Sequence, residues 1–542
     1  MNKINYLGLA AIAAFGLASC SSDEPGNGSN NGAAKGEQYM AVTIRTAGMS
    51  GTRAPELGNP EFEGPAAGSN EGSVTANNLY FYFFDSEGNP FQLAAANVQG
   101  TVATNVVRPL EINSGNTDGA DPESVQAVLV LGKAVGEGYV GTTPAQMLCV
   151  ANPVASNLNA YANKPLKEVL ELTTNNGGLP ALNNFVMTSS TYVDGGKEVV
   201  ATDVTGNFKT TPDEAKANPV TIYLERLAVK VRAHGLGDFT PEYRNADGDI
   251  VENYQYKVNN DNYDLQVTLD GWRLINISTQ SLAFKNIAAD GNYFTGWNNA
   301  DLHRCYWALS KVSDPLINTI AQCDIYDASQ WSRGNFVTTQ PTVNIAYAYE
   351  NTQYAAPSYG AGGAANASDR LSKATGILVK ATVKMRKTGT TDEFTPVQLT
   401  RWAGAYYTED ELKNMIIENF NVANPEIEDL PASAVSFVKD TEPNRWKAQV
   451  TVNGVARDWS TNYNNIMRWI DGATSYYLNI EHLGGLFGVV RNHIYDYEFT
   501  GVVGLGVPGN DPENPEPEDE TFLAAKVAIL NWHVISNKFV LE

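Results

Sequence analysis

Histidine, cysteine and positive charge are all scarce in this chain. Its five histidines, at 234, 303, 482, 493 and 533, show no His-x-x-x-His or His/Cys spacing, so no zinc site is legible. Lys and Arg number 37 against 60 Asp and Glu, a formal net charge of −23. That balance argues against nucleic acid as a partner, because phosphate binding needs clustered cations to displace counterions. No apolar run approaches the roughly 18 residues that a membrane-crossing helix needs. Gly-x-Ser-x-Gly elbows, His-Glu-x-x-His helices and P-loops are also missing. No catalytic residue, metal site or cofactor is therefore expected, and the chain reads as a non-enzyme. Asn245–Asn253, "NADGDIVEN", lacks the full ligand spacing of a calcium loop and reads as a polar turn.

What is abundant points to strands. With 47 Gly, 25 Pro and 26 Tyr in 542 residues, the composition favours many short strands joined by turns, in two or three domains. Asn77–Phe91 reads as a strand closed by a Glu87-Gly88-Asn89-Pro90 turn, and "VQAVLVLGKAV" and "NNFVMTSSTYV" give further strands. "AQMLCVANP" is nearly continuous in apolar character, which predicts a strand buried on both faces with Cys149 as a buried free thiol. Pro165–Leu172 reads as a short helix with Pro at its first position. In Asn218–Gly235 the alternation of Val220, Ile222 and Leu224 slips at Glu225-Arg226 before resuming at Leu227, Val229 and Val231. One strand should end there and another begin in a second sheet. The later half adds "YDLQVTLDGWRLINIS", "GILVKATVKM" and "SYYLNIEHL" as strands, a flexible Ala355–Ser368 loop, and a capping box, Thr408 to Glu411, that opens a helix.

The two ends are the most distinctive parts. Residues 1–20 have a Lys3 charge, an apolar Leu7–Leu17 stretch and "LASC", the pattern of a lipoprotein signal in which Cys20 is lipidated. A Ser-, Asn- and Gly-rich tether follows, then an alternating strand, Gln38–Thr46, whose Met40, Val42 and Ile44 share one face. It leads into a Gly/Pro/Ser loop carrying Arg53-Ala54, a composition that proteases prefer. At the far end Pro508–Glu520 holds four prolines and six acidic residues. As an extended spacer those residues would span about 40 Å. Beyond it the chain becomes apolar again: Leu523, Ala525, Val527 and Ile529 alternate, and Trp532, Val534, Phe539 and Leu541 follow. Such a strand can fold back on its own domain or complete another sheet by strand addition.

Taken together, the lipobox, first strand, Arg loop, "RNHIYD" (491–496) with its Gly-rich exit, and proline-tethered last strand resemble the type V fimbrillins of Bacteroidetes, the stalk-subunit family. The resemblance implies an all-β fold with short helices, made of two tandem transthyretin-like β-sandwich domains, 54–225 and 226–507. It implies residues 1–20 as signal, 21–53 as propeptide with a removable strand, 508–520 as linker and 521–542 as donor segment. It further implies cleavage between Arg53 and Ala54 by an Arg-specific protease, loss of the strand bearing Met40, Val42 and Ile44, and filling of the vacated groove by Leu523, Ala525, Val527, Ile529, Trp532, Val534, Phe539 and Leu541 of another copy. The partners are then further copies in a head-to-tail filament, tip and anchor subunits and the maturation protease. Contact with the membrane is through the precursor lipid alone. The location is the outer membrane first and an extracellular fimbrium afterwards, in a role supporting adhesion.

Other readings stay open. A monomeric glycan-binding surface lipoprotein would keep Arg53 uncut and fold its last strand back, and an anchor or tip subunit would use only part of the assembly chemistry. A secreted hydrolase would need a catalytic constellation that the sequence lacks. Cys305 and Cys323 can pair if their geometry allows, since export passes through an oxidising compartment. His493 reads as a packing residue bonded to backbone.

Overall fold

The computed structural model describes residues 38–46, 78–92, 104–109, 111–114, 124–131, 144–153, 161–175, 185–194, 197–209, 211–243, 250–251, 256–259, 261–278, 280–285, 344–351, 375–439, 445–459, 465–482, 486–508, 522–531 and 534–536. Its principal strands are β1 (Gln38–Thr46), β2 (Leu79–Phe84), β3 (Ser124–Leu131), β4 (Gln146–Ala151), β5 (Met187–Ser189), β6 (Val220–Arg226), β7 (Ala228–His234), β8 (Asp261–Ile275), β9 (Asn344–Tyr349), β10 (Gly376–Lys387), β11 (Ala473–Asn479), β12 (His493–Val503), β13 (Phe522–Asn531) and β14 (Val534–Ser536). The helices used below are α1 (Leu166–Leu170), α2 (Pro212–Ala217) and α3 (Glu409–Ala423). The fold is mainly β, as the sequence indicates.

The first half is one nine-stranded sheet whose spine runs β2-β4-β5-β6-β1-β3. Its ends approach one another, with the short Val106–Val107 strand near β3, so the sheet curls around its own core. Leu79, Phe81 and Phe83 enter that core with Met147, Cys149 and Ala151. The alternate residues Tyr80, Tyr82, Phe84, Leu148 and Val150 are packed on the opposite face, under Tyr161 and the Val169 side chain of α1. The continuous apolar runs of β2 and β4 are thus explained by burial on both faces. Cys149 is buried and unpaired, and burial pushes its thiol well above the ordinary range. Pro165 is the N-cap of α1 and not its first helical residue; its ψ of 146° is extended, and the helix begins at Leu166.

The second half is a sandwich. A five-stranded sheet, β9-β7-β12-β13-β14, faces a ten-stranded sheet centred on β8, β10 and β11. Val229, Val231, Tyr495, Tyr497 and Phe499 from one share a core with Val267, Trp272, Val379, Tyr476 and Leu478 from the other. Two β-bulges keep the apolar residues on the inner face. Along β8, Leu265, Val267 and Leu269 point inward at odd positions, then Trp272 and Leu274 at even ones, and the register shifts between Leu269 and Gly271. Along β12 the switch from Phe499 to Val502 coincides with the shift between Phe499 and Gly501.

The alternation slip read at Glu225-Arg226 corresponds to the end of β6 at Arg226 and the start of β7, in a different sheet, at Ala228. An insert hangs from the ten-stranded sheet. In it α3 covers a three-stranded sheet (Val435–Lys439, Trp446–Val452, Val455–Asp458), and Leu412, Ile416 and Phe420 pack on Val435, Ala448 and Val450. Both bonds of the capping box are present: Glu411 N–H donates to Thr408 Oγ1 at 3.3 Å, and Thr408 N–H to Glu411 Oε2 at 2.8 Å.

Candidate functional site

β1 is a strand of the sheet interior. It runs parallel to β6, with Val42 beside Val220 and Ile44 beside Ile222, and antiparallel to β3, with Met40 beside Leu129 and Val42 beside Ala127. Met40 and Val42 are fully buried in the curled core. Ala41 faces the other way and is also buried, against Val128 and Ala215. Ala215 belongs to α2, whose start is fixed by Thr211, which accepts from Glu214 N–H, and by Pro212 at the first helical position. β1 is therefore covered on both faces and hydrogen-bonded along both edges.

The last strand lies elsewhere. β13 pairs antiparallel with β12 of the same chain, from Phe522 beside Val503 to Asn531 beside His493, and β14 adds to its far side. Leu523, Ala525, Val527 and Ile529 sit in this ladder at alternate register positions, and Val534 lies on β14. Cys20, Arg53, Ala54, Cys305, Cys323, Trp532, Phe539 and Leu541, and most of the Asn245–Asn253 turn, lie outside the described residues.

Between the curled sheet and the sandwich is a buried polar node that sequence reading did not assemble. Arg491 and Glu350 form an ion pair at 2.9 Å with neither side chain exposed, and Arg491 also donates to Ser281 Oγ, Leu282 O and Ala283 O. Asn492 takes a left-handed φ of 62°; its N–H donates to Ala228 O and its Oδ1 accepts from Arg226 N–H. The His493 ring nitrogen Nδ1 lies 2.8 Å from Arg491 O. Tyr495 Oη accepts from Val490 N–H at 2.9 Å, and burial pushes its phenol well above the usual range. Asp496 pairs with Arg232 at 2.8 Å. "RNHIYD" is thus an architectural motif: Arg491 ties the start of β12 to Glu350 and to residues 281–283, Asn492 and Asp496 tie it to the ends of β6 and β7 or to β7 itself, and His493 meets backbone.

A second buried pair lies close by, Glu225 on β6 with Lys285 at 2.8 Å, both side chains fully buried. The available sequence signal was charge inside apolar strands, as in "YLERLAV" and "AYAYEN". Among the described residues no group of three or more His, Cys, Asp or Glu is placed to hold a metal.

Residues 462–538, which include β11, the "RNHIYD" end of the polar node and both last strands, match the family model described as "Major fimbrial subunit protein type IV, Fimbrillin, C-terminal". The likeness to fimbrillins rests on this C-terminal stretch. No curated protein matches the chain. Among solved structures it is similar to a candidate cell adhesion protein from Parabacteroides distasonis, at 12% identity and a TM-score of 0.36, covering 92% of this chain and 98% of that one. It is similar also to the tip fimbrial protein Mfa3 from Porphyromonas gingivalis with its C-terminus truncated, at 11% identity and a TM-score of 0.30, covering 92% and 100%. The matched stretch encloses "RNHIYD", while its partners Glu350, Ser281, Leu282 and Ala283 lie outside it.

Proposed function

We propose that this protein is a stalk subunit that polymerises on the cell surface by strand exchange. A lipidated precursor is cut after Arg53, β1 leaves, and the slot between β3 and β6 receives the segment from 521 to 542 of another copy. The observation that carries this reading is the placement of β1: it is the first described strand, yet it fills the sheet interior between strands that do not adjoin it in sequence. Its removal leaves two unpaired ladder edges and an empty place in an apolar core, a strong template for another strand. β13, at ten residues against nine for β1, is of suitable length and carries the same alternation.

The precursor is self-complemented and presents no such template until it is cut. The domain limits 54–225 and 226–507, with 508–520 as tether, belong to the same proposal. So do the partners: further copies head-to-tail, tip and anchor subunits, and an Arg-specific protease.

The pairing of β13 with its own β12 is the arrangement a self-contained monomer would have, and it favours the glycan-binding surface lipoprotein as the second reading. N-terminal sequencing of the protein from its native surface, with boiled and unboiled gel lanes, separates the two. A start at Ala54 with a heat-sensitive ladder is expected; a blocked N-terminus at Cys20 with monomer alone would overturn the stalk reading.

A further inference from the structure

The Glu225–Lys285 pair is built unlike its neighbour. Glu350 receives two bonds from Arg491, through Nε at 3.0 Å and the backbone N–H at 3.3 Å, besides the ion-pair contact. Glu225 has none of this support: apart from the Lys285 ammonium at 2.8 Å, no hydrogen-bond donor among the described residues reaches either carboxylate oxygen. A buried ion pair is favourable only when further hydrogen bonds satisfy its remaining charge. On the Glu225 side, among the described residues, they are missing. Burial, the largest influence, raises the Glu225 carboxyl above its ordinary range; Lys285 and Arg491 oppose this and Glu350 adds to it.

Both groups are held on rigid supports. Glu225 stands opposite Thr188 in the β6–β5 ladder. The Lys285 carbonyl accepts from the buried Thr191 hydroxyl at 2.9 Å, and Ala283 N–H donates to Leu172 O at 2.9 Å just before it. Ala283 and Phe284 are themselves buried in the core under β2 and β4. An amine fixed against a carboxyl, with water excluded, meets the positional demand of an intramolecular condensation.

We propose that Lys285 and Glu225 are joined by an intramolecular isopeptide bond. The ammonium first gives a proton to the carboxylate. The neutral Nζ then attacks the Glu225 carboxyl carbon, a C–N bond forms, the C–OH bond breaks, and the hydroxyl departs with an Nζ proton as water. Nothing is oxidised or reduced and no co-reactant is consumed. The product removes two buried charges and staples the end of β6 to the 280–285 segment.

Mass spectrometry of the purified, denatured full chain tests this. The expected result is a branched tryptic peptide containing residues 225 and 285, lighter than its two parts by one water, with no cleavage after Lys285. Lys285→Arg keeps a cation in place and cannot form the link, so it should show the unlinked Glu225 peptide. Glu225→Gln provides a second arm, since the same bond would then release ammonia in place of water. Recovery of the linear peptide ending at Lys285, at full sequence mass and in stoichiometric amount from the unaltered chain, would overturn the proposal.

Discussion

Arg491 and Glu350 lie 2.9 Å apart with both side chains wholly buried, joining the start of β12 to the residue just after β9. Breaking one side of such a pair strands the other charge, at a cost of about 3–5 kcal/mol. Arg491→Ala should therefore lower unfolding free energy by that order in denaturant titration, and more than a paired Arg491→Met, Glu350→Leu replacement, which leaves no orphan charge. Equal losses from the two would refute the pairing as the dominant interaction.

Met40 is completely buried on a strand that the rest of the fold surrounds. Truncating a buried methionine to alanine costs about 2–5 kcal/mol through lost transfer energy and the cavity left behind. Met40→Ala should lower precursor stability by this order in thermal or denaturant unfolding. A loss within experimental scatter would mean that β1 contributes little to the core.

α2 rests on β1 through Ala215 and Ala41. Excision of β1 should raise hydrogen exchange across 212–217 together with the facing edges of β3 and β6, and a refilled slot should restore protection. If α2 stays protected after cleavage, its support comes from elsewhere.

Thr408 caps α3 with both capping-box bonds in place. Thr408→Ala should cost about 1 kcal/mol, within the usual range for lost N-caps. Calorimetry would check this, and the loss should be felt mainly in the insert.

Glu409 supplies a pH dependence. Burial pushes its carboxyl up, but Lys413 at 2.6 Å and the Arg468 guanidinium overcome this and leave it below the ordinary range. A depressed folded-state value means stabilisation that is complete above the ordinary glutamate range and fades as pH falls through the lowered one. The stability gap between the parent and Glu409→Gln should be largest near neutrality and shrink on acidification. A gap that widens in acid would contradict the assignment.

Local patterns were legible wherever a short stretch carries its own physics. The β2 and β4 runs, the Thr408 capping box, the strand containing Met40 and Val42, and the break between β6 and β7 all depend on neighbours a few residues apart. The polar node depends on Arg491 meeting Glu350 and Ser281, residues far away in sequence, and only the closed sheets bring them together. Nor could alternation tell where β13 would lie, because a period of two says which face a strand buries and not which edge it joins. The bulges at Gly271 and Gly501 are intermediate: the switch from odd to even apolar positions is written in the chain, but it becomes meaningful only once the partner strand is known.

The insert built on α3 has consequences for how the protein can diversify. Its helix and three strands enclose an apolar centre separate from that of the sandwich. Trp402 and Tyr407 of the ten-stranded sheet lean on that centre, and Arg468 of the same sheet pairs with Glu409 of α3, so the lobe is a second core joined to the framework along one edge. Changes confined to lobe side chains that do not meet Trp402, Tyr407 or Arg468 should therefore leave the larger sandwich core undisturbed.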